Sequence, residues 1–409
     1  MISLRASLTG LITGLAVLAT SPAPAATPFA LTATVDGTTS ARAFNNAEEA
    51  LRGISTGELQ KLFSSYTDTS EVSATLNFRG LPMTFSFAGG SDTLRLQIPA
   101  LDIDETFSGA DRGDSIDEMV NSFQDGAQVF SDLQKKLAAV SAIDPVAGNP
   151  QSLMNMMVDE TFADDAFDER LVMGRPYNPK GDARLRPGKM RSVGVRQVQF
   201  DANGVEGNST VIPLTYTASP SARTMVKFGF PMAYWSADGA STFSLGARVA
   251  AQTRISRQWT LTPSAGWGAT VSGDLGSAAH LLNFALTSRY EMPLSRGMTL
   301  VFGNTAGYVR TMGLSIGEYD LDPKLANTYM KNGVQWESPT LHLLGRSGTV
   351  KTSYALTNYF GSDLYMNTLH EFGAAIGGGG MADLPVSVEV KKTLANDYNA
   401  TSLGMNLRF

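Results

Sequence analysis

The chain ends in Thr401-Ser402-Leu403-Gly404-Met405-Asn406-Leu407-Arg408-Phe409, and from Ser402 onward polar and apolar side chains alternate strictly. Successive side chains of a β-strand point to opposite faces, so Leu403, Met405, Leu407 and Phe409 share one face. A strand with one wholly apolar face suits lipid on that side and water on the other. The pattern therefore predicts a membrane-spanning strand that ends on an aromatic residue.

The same period of two recurs upstream, for example in Phe243–Gln252, Trp259–Val271, Leu282–Glu291 and Leu384–Lys391. These runs exceed the five or six residues usual for soluble strands and match the ~9 to 11 residues of a membrane-spanning strand. We predict a mainly β protein, a 12-stranded antiparallel transmembrane β-barrel preceded by a small α+β soluble domain. The predicted strands lie near residues 191–200, 208–218, 223–235, 241–253, 257–271, 279–292, 297–310, 334–344, 350–360, 364–376, 384–395 and 399–409.

The terminal strand resembles the C-terminal recognition strand of bacterial outer-membrane β-barrel proteins. In that class, the assembly machinery engages a terminal aromatic residue preceded by alternating apolar ones, here Leu403, Met405, Leu407 and Phe409. At the other end, Arg5, the apolar stretch Leu8–Ala19 and Ala23-Pro24-Ala25 predict a secretory signal peptide over residues 1–25. Together they predict the outer membrane of a Gram-negative bacterium, with its lipid and the barrel assembly machinery as partners.

Charge divides the chain into two parts. Residues 27–165 carry a net charge of −13 and residues 166–409 a net charge of +6. Apolar residues at helical spacing predict helices within 46–66 and 115–140, with strands between them. We therefore predict a soluble acidic α+β domain at 26–163 and a proline-containing linker at 164–190 before the barrel at 191–409.

The predicted strands also define a topology. If the C-terminus is periplasmic, an even strand count places residue 191 and the N-terminal part on the periplasmic side. The one long loop, Thr311–Gly333, then lies outside. The short periplasmic turns would be Ala218–Ala222, Thr253–Arg257, Pro293–Gly297 and Gly345–Thr349, and the interfacial aromatic residues Trp235, Trp259, Trp267, Tyr290, Tyr308 and Tyr354.

Signs of catalysis or metal binding are weak. The chain has no cysteine and three histidines, none of them in a known catalytic motif. His342 with Ser347, and His370 beside Glu371, are better explained as strand residues than as catalytic pairs. The acidic residues near Asp102–Asp114 do not have EF-hand spacing, and those from Asp159 to Glu169 suit a solvated tether. We predict no enzyme activity, no cofactor, no metal and no nucleic-acid partner.

An excess of positive charge is predicted inside the barrel. Such an excess would favour anions, or the acidic N-terminal part itself. Alternatively, the inward charges pair across neighbouring strands and fill a narrow lumen. The predicted lumen-facing charges are Lys227, Arg248, Arg289, Lys351, Lys391 and Arg408, with Glu291 and Glu389.

The layout of residues 191–409 behind a separate N-terminal region resembles that of autotransporters, whose barrel supports export of the preceding segment. That resemblance implies export or display of the N-terminal domain. The alternative is a porin-like channel for small solutes, including anionic ones, with a periplasmic plug or accessory domain. Either function is compatible with a monomer or an oligomer.

Overall fold

A computed structural model of the chain describes residues 27–125, 127–167, 189–221, 223–316, 319–339, 341–343, 346–377 and 386–409. Twelve antiparallel strands pair in succession, and the last of them pairs with the first, so the barrel is closed. The predicted fold class is confirmed. The barrel strands are β7 Lys189–Ala202, β8 Val205–Ala218, β9 Thr224–Ala237, β10 Ala240–Arg254, β11 Trp259–Ser272, β12 Ser277–Pro293, β13 Thr299–Met312, β16 Ala326–Glu337, β18 Arg346–Gly361, β19 Thr368–Gly377, β20 Val386–Ala395 and β21 Tyr398–Arg408. The short strands β14 Leu314–Ile316, β15 Tyr319–Leu321 and β17 Leu341–Leu343 lie in the connections.

The outer surface of the barrel is largely apolar. Within the described ranges, every exposed large apolar side chain belongs to residues 195–409. In β9, Phe228 and Phe230 are 39% and 48% exposed, whereas Lys227, the residue before Phe228, is 1% exposed and points inward. Soluble monomers rarely present an apolar surface of this extent to water, whereas a lipid-facing barrel must.

Four predictions on the barrel are wrong in detail. Strand β16 begins at Ala326, eight residues earlier than predicted, so the long connection is shorter than Thr311–Gly333. Lys331 consequently lies in a strand, with its side chain buried in the lumen. Of the predicted turn Gly345–Thr349, residues 346–349 belong to β18, which starts at Arg346, and Gly345 lies outside the described residues. Trp235 is 1% exposed and faces inward, because the outward positions of β9 are even-numbered.

The N-terminal domain is a six-stranded antiparallel sheet in the order β2-β1-β3-β4-β5-β6. Alternate residues of β1, β3, β4 and β5 are buried, and α3 and α4 contribute apolar residues such as Met119 and Leu137 to the same core. The α+β character is confirmed, and none of the helices in the described residues is long and apolar enough to span a membrane. The elements are β1 Phe29–Val35, β2 Thr38–Phe44, α1 Ala47–Leu51, α2 Thr56–Leu62, β3 Val72–Phe78, β4 Leu81–Phe87, β5 Thr93–Ile98, β6 Ile103–Ser108, α3 Arg112–Asp125 and α4 Ala127–Val140.

The domain sits on one end of the barrel. We call the end where β7 starts and β21 finishes the terminal rim, and the opposite end the capped rim. The domain contacts the capped rim: the Ala47 amide donates to the Asp274 carbonyl at 2.7 Å, and the Tyr365 amide donates to the Ala138 carbonyl at 2.9 Å. The sequence had placed the N-terminal part at the same end as residue 191, and the structure places it at the other.

The chain then enters the barrel. Helix α5 (Leu153–Phe162) and a following π-helical turn (Ala163–Phe167) lie in the lumen, and we call residues 153–167 the plug segment. Leu153 lies beside Gly268 toward the capped rim, whereas Phe167 lies beside Gly333 toward the terminal rim. The plug segment therefore runs along the lumen from the capped rim toward the terminal rim.

Candidate functional site: the lumen and its plug segment

Two adjacent carboxylates of the plug segment bind cations on the barrel wall. Lys227 donates to Asp165 at 2.9 Å, and Arg248 donates to Asp164 at 3.1 Å and also to Asp165. All four side chains are at least nine-tenths buried. The prediction that these acidic residues are solvated is wrong, because the long-range contact with β9 and β10 removes them from water.

A second group of charges lies nearer the middle of the barrel, further from the terminal rim than the first. Lys331 and Lys391 each bind both Asp159 and Glu371, so two cations share two carboxylates. Nearby, Arg196 donates to Glu160 at 2.9 Å. These contacts tie the plug segment to strands on both sides of the lumen. Removing one partner of such a buried pair commonly costs about 3–5 kcal/mol, because the other charge is left without compensation.

Neutral hydrogen bonds also hold helix α5 against the barrel wall. The Tyr359 hydroxyl donates to Asn155 at 3.0 Å, and Asn283 donates to the Thr161 hydroxyl at 3.3 Å. Apolar residues of α5 also belong to the same buried cluster as the N-terminal domain and the capped half of the barrel. The lumen at that end is thus packed like the interior of a soluble protein.

Glycines on the lumen wall make room for the aromatic end of the plug segment. Gly303 and Gly333 lie directly opposite each other on β13 and β16. A methyl group on Gly303 would come within 2.6 Å of Ala166, and one on Gly333 within 2.7 Å of Phe167. Phe162 and Phe167 pack edge to face with 4.8 Å between ring centroids. The wall is shaped to this segment as well as complementary in charge.

A buried arginine joins the domain, the barrel and the entry to the lumen. Arg79, in the turn after β3, binds Asp144 and donates to the Leu275 carbonyl of the β11–β12 turn at 2.8 Å. Both side chains are 0–1% exposed. Burial lowers the pKa of the Arg79 guanidinium, and the neighbouring Asp144 carboxylate partly counteracts that effect. Asp144 also accepts from the Val146 and Ala147 amides.

A cavity of about 160 Å³ remains beside the plug segment, toward the terminal rim. Cationic side chains outnumber carboxylates in its lining, as the predicted excess of positive charge in the lumen requires. The anion selectivity inferred from that excess stays a prediction. The charged lining residues are Arg196, Lys331, Lys351, Lys391 and Arg408, with Asp159, Glu371 and Glu389.

All the lumen charges named from the sequence lie on the inner side of the barrel. Lys391 binds Glu371 on the neighbouring strand β19, which is the cross-strand pairing weighed as an alternative, whereas Arg289 binds Glu291 on its own strand, β12. Lys227, Arg248 and Lys391 also bind the plug segment, so both alternatives occur in one lumen. Sequence reasoning missed Arg196, Lys331 and Glu371; an inward position in a polar strand was the available signal for each.

The remaining candidate residues are dispersed. His370 faces outward and hydrogen-bonds with Tyr354 at 3.0 Å, whereas Glu371 faces the lumen, so the two do not form a pair. His342 and Ser347 are cross-strand neighbours of β17 and β18. Asp104 binds Arg95 at 2.6 Å. Within the described residues, no three His, Asp or Glu side chains are grouped to hold a metal ion.

The assembly-signal residues occupy the outer face of β21, where Leu403, Met405, Leu407 and Phe409 are all exposed. Of the predicted linker at 164–190, Asp164–Phe167 forms the buried turn of the plug segment, and residues 189 and 190 begin strand β7. Residues 168–188, with the three prolines and with Asp168-Glu169, lie outside the described residues.

No protein-family model matches the sequence, and no curated protein is significantly similar to it. Among solved structures, the chain is similar to the β-domain of the Bordetella autotransporter BrkA, with 14% identity over 56% of this chain and 99% of that one and a TM-score of 0.41. It is also similar to the translocator domain of the autotransporter NalP from Neisseria meningitidis, with 14% identity, 63% and 95% coverage and a TM-score of 0.42. The KdgM porin gives 12% identity, 53% and 99% coverage and a TM-score of 0.32.

The class-level resemblance drawn from the sequence, to outer-membrane barrels of autotransporter layout, is thus found again among solved structures. The closed ring of twelve strands, the apolar exterior and the occupied lumen are established by the geometry of the chain itself.

Proposed function

We propose that the barrel is an outer-membrane anchor that displays the N-terminal domain of the same chain, in the manner of an autotransporter. One observation carries the proposal: the plug segment runs along the lumen, so the domain lies at the end opposite to Lys189 and Phe409. If the barrel termini are periplasmic, as in the class that the terminal strand resembles, the domain lies outside the cell.

The packing supports retention of the domain at that end. Its core is continuous with the apolar residues of the capped half of the barrel. The domain is also linked to the rim by backbone hydrogen bonds and by the buried Arg79. A domain held in this way is an anchored head and not a released product.

Orientation is tested with single cysteines, since the chain has none of its own. Ser65 is exposed on the domain and Ser295 is exposed at the terminal rim, and serine to cysteine changes little else. With intact cells and a membrane-impermeant maleimide, Ser65→Cys is expected to label and Ser295→Cys to label only after the outer membrane is permeabilised. The reverse pattern would put the domain in the periplasm and overturn the display function.

A second candidate is a channel for small anionic solutes, in which the plug segment would be a gate. The cationic cavity at the terminal rim favours it. In a planar lipid bilayer, a channel would give the full chain a steady anion-selective conductance. A sealed anchor would give none, because the capped half of the lumen is packed with side chains.

A further inference from the structure

The turns at the terminal rim carry exposed arginines. Arg223 lies in the β8–β9 turn, Arg257 in the β10–β11 turn and Arg296 in the β12–β13 turn. Lys189 and Arg191 lie at the start of the neighbouring strand β7. All five side chains are exposed, and we call them the rim cations. Within the described part of the chain, none of the five has a carboxylate partner, unlike the cations of the lumen.

The sign of the charge differs between the two rims along these strands. The three terminal-rim turns contain no Asp or Glu, and the three capped-rim turns between β7 and β12 contain no Lys or Arg. The charged residues in or beside those capped-rim turns are Asp201, Glu206, Asp238 and Asp274. An anion is therefore attracted to the terminal rim and repelled from the capped rim on this side of the barrel.

Exposed apolar residues put the rim cations at the boundary of the membrane. Ile255 and Leu294 are exposed in the same turns, two residues before Arg257 and Arg296 respectively. An exposed Trp259 follows the first of these turns, and tryptophan concentrates at the level of the lipid headgroups. Lipid stabilises the apolar side chains of such a turn, and the long arginine side chain beside them reaches the headgroups.

We propose that the rim cations bind the phosphate groups of anionic phospholipids in the leaflet that surrounds the terminal rim. A guanidinium group can donate two parallel hydrogen bonds to one phosphate. Successive turns are two strands apart, roughly 10 Å at ~4.8 Å per strand, so the cations are spread along the outside of the barrel. This spacing suits a separate headgroup at each turn. The proposal does not depend on which side of the membrane the N-terminal domain occupies.

The test is native mass spectrometry of the full chain in a neutral detergent, titrated with phosphatidylglycerol or with phosphatidylcholine. Both lipids carry a phosphodiester, but only phosphatidylglycerol has a net negative charge. The wild-type chain is expected to bind each of the first phosphatidylglycerol molecules about fivefold more tightly than phosphatidylcholine. The triple variant Arg223→Gln/Arg257→Gln/Arg296→Gln is expected to lose most of this preference.

The matched control removes the same charge from the opposite end of the barrel wall and its loop. Arg310→Gln/Lys324→Gln/Lys392→Gln neutralises three cations toward the capped rim and is expected to keep the preference. The change in gel migration on boiling reports whether each barrel is folded. Equal loss in both triple variants would overturn the proposal, because the effect would then follow net charge and not the terminal rim.

Two further outcomes would also overturn it. Equal affinity of the wild-type chain for the two lipids needs no variant to fold and would exclude a site for anionic lipid. An unchanged preference in the folded variant that lacks the three turn arginines would assign the binding to other cations. Inorganic phosphate is the third arm of the titration. It is expected not to displace phosphatidylglycerol at equal concentration, and displacement would mean that the rim binds free phosphate and not lipid.

Discussion

The buried contact between Arg79 and Asp144 offers a quantitative test of how the domain is held on the barrel. Asp144→Asn keeps the shape of the side chain but leaves the fully buried Arg79 charge without a counter-charge. Arg79→Met leaves the Asp144 carboxylate with only its two backbone amide donors. Each single change is expected to destabilise the docked domain by about 3–5 kcal/mol.

The double variant Arg79→Met/Asp144→Asn removes both charges together. Its main loss is the hydrogen bond to the Leu275 carbonyl, about 1–3 kcal/mol for a buried acceptor left without a donor. The summed destabilisation of the two single variants is therefore expected to exceed the destabilisation of the double variant by at least about 3 kcal/mol. This difference is the coupling energy of the pair.

The assay is native-state proteolysis of the reconstituted protein across a urea series, with the amount of intact N-terminal domain as the readout. Arg95→Met/Asp104→Asn, with its two single variants, is the matched control, because that Arg–Asp pair is half exposed on the same domain. The control cycle is expected to leave the urea midpoint unchanged. Additive single costs at Arg79 and Asp144, or a coupling as small as that of the control, would refute this account of the junction.

Three further predictions concern the lumen and the terminal strand. Gly303→Ala forces a methyl group to within 2.6 Å of Ala166 and is expected to destabilise the folded barrel by about 1–3 kcal/mol in urea unfolding, whereas Gly273→Ala meets nothing within 4 Å and should be neutral. Lys331→Met leaves Asp159 and Glu371 to share Lys391, so it is expected to loosen the plug segment and to increase ion conductance in bilayers. Lys324→Met, in the capped-rim loop, is the control. Equal conductance in both variants would contradict the prediction. Phe409→Ser is expected to reduce the folded fraction in the outer membrane if the terminal aromatic residue is an assembly signal, whereas Ile255→Ser, at another exposed apolar position, should assemble normally.

The barrel could be predicted from the sequence because its information is local. A period of two fixes which side chains share a face, and in β10, β11 and β12 the inward and outward residues are those the alternation indicates. Prediction failed where that signal was weak. Strand β16 carries Asn332 and Gly333 in its middle, so the alternation is interrupted and the start of the strand was placed too late.

The plug segment could not be found in the same way. Its carboxylates have the composition of a solvated tether, and only contacts with cations far along the chain bury them: Asp165 is 62 residues from Lys227, and Asp159 is 232 residues from Lys391. Two indications were nevertheless present. The barrel had an excess of inward cations, and the preceding segment had an excess of acid. The need for glycine at the inward positions of the wall is visible only when the plug segment is in place.

Because the plug segment runs along the lumen, the chain is threaded through its own closed barrel. The barrel is closed by the ladder between β21 and β7. The six-stranded sheet of the domain is roughly 24 Å across at ~4.8 Å between strands, which is wider than a lumen filled by a single helix about 10–12 Å in diameter. The domain can reach its position by only two routes: it crosses the pore as extended chain and folds afterwards, or the last strand pair closes around a segment already in place. In either case, the threaded structure implies a fixed order of domain folding and barrel closure. The domain cannot leave by simple dissociation, because separating it from the barrel requires unfolding the domain, opening the barrel or cutting the chain.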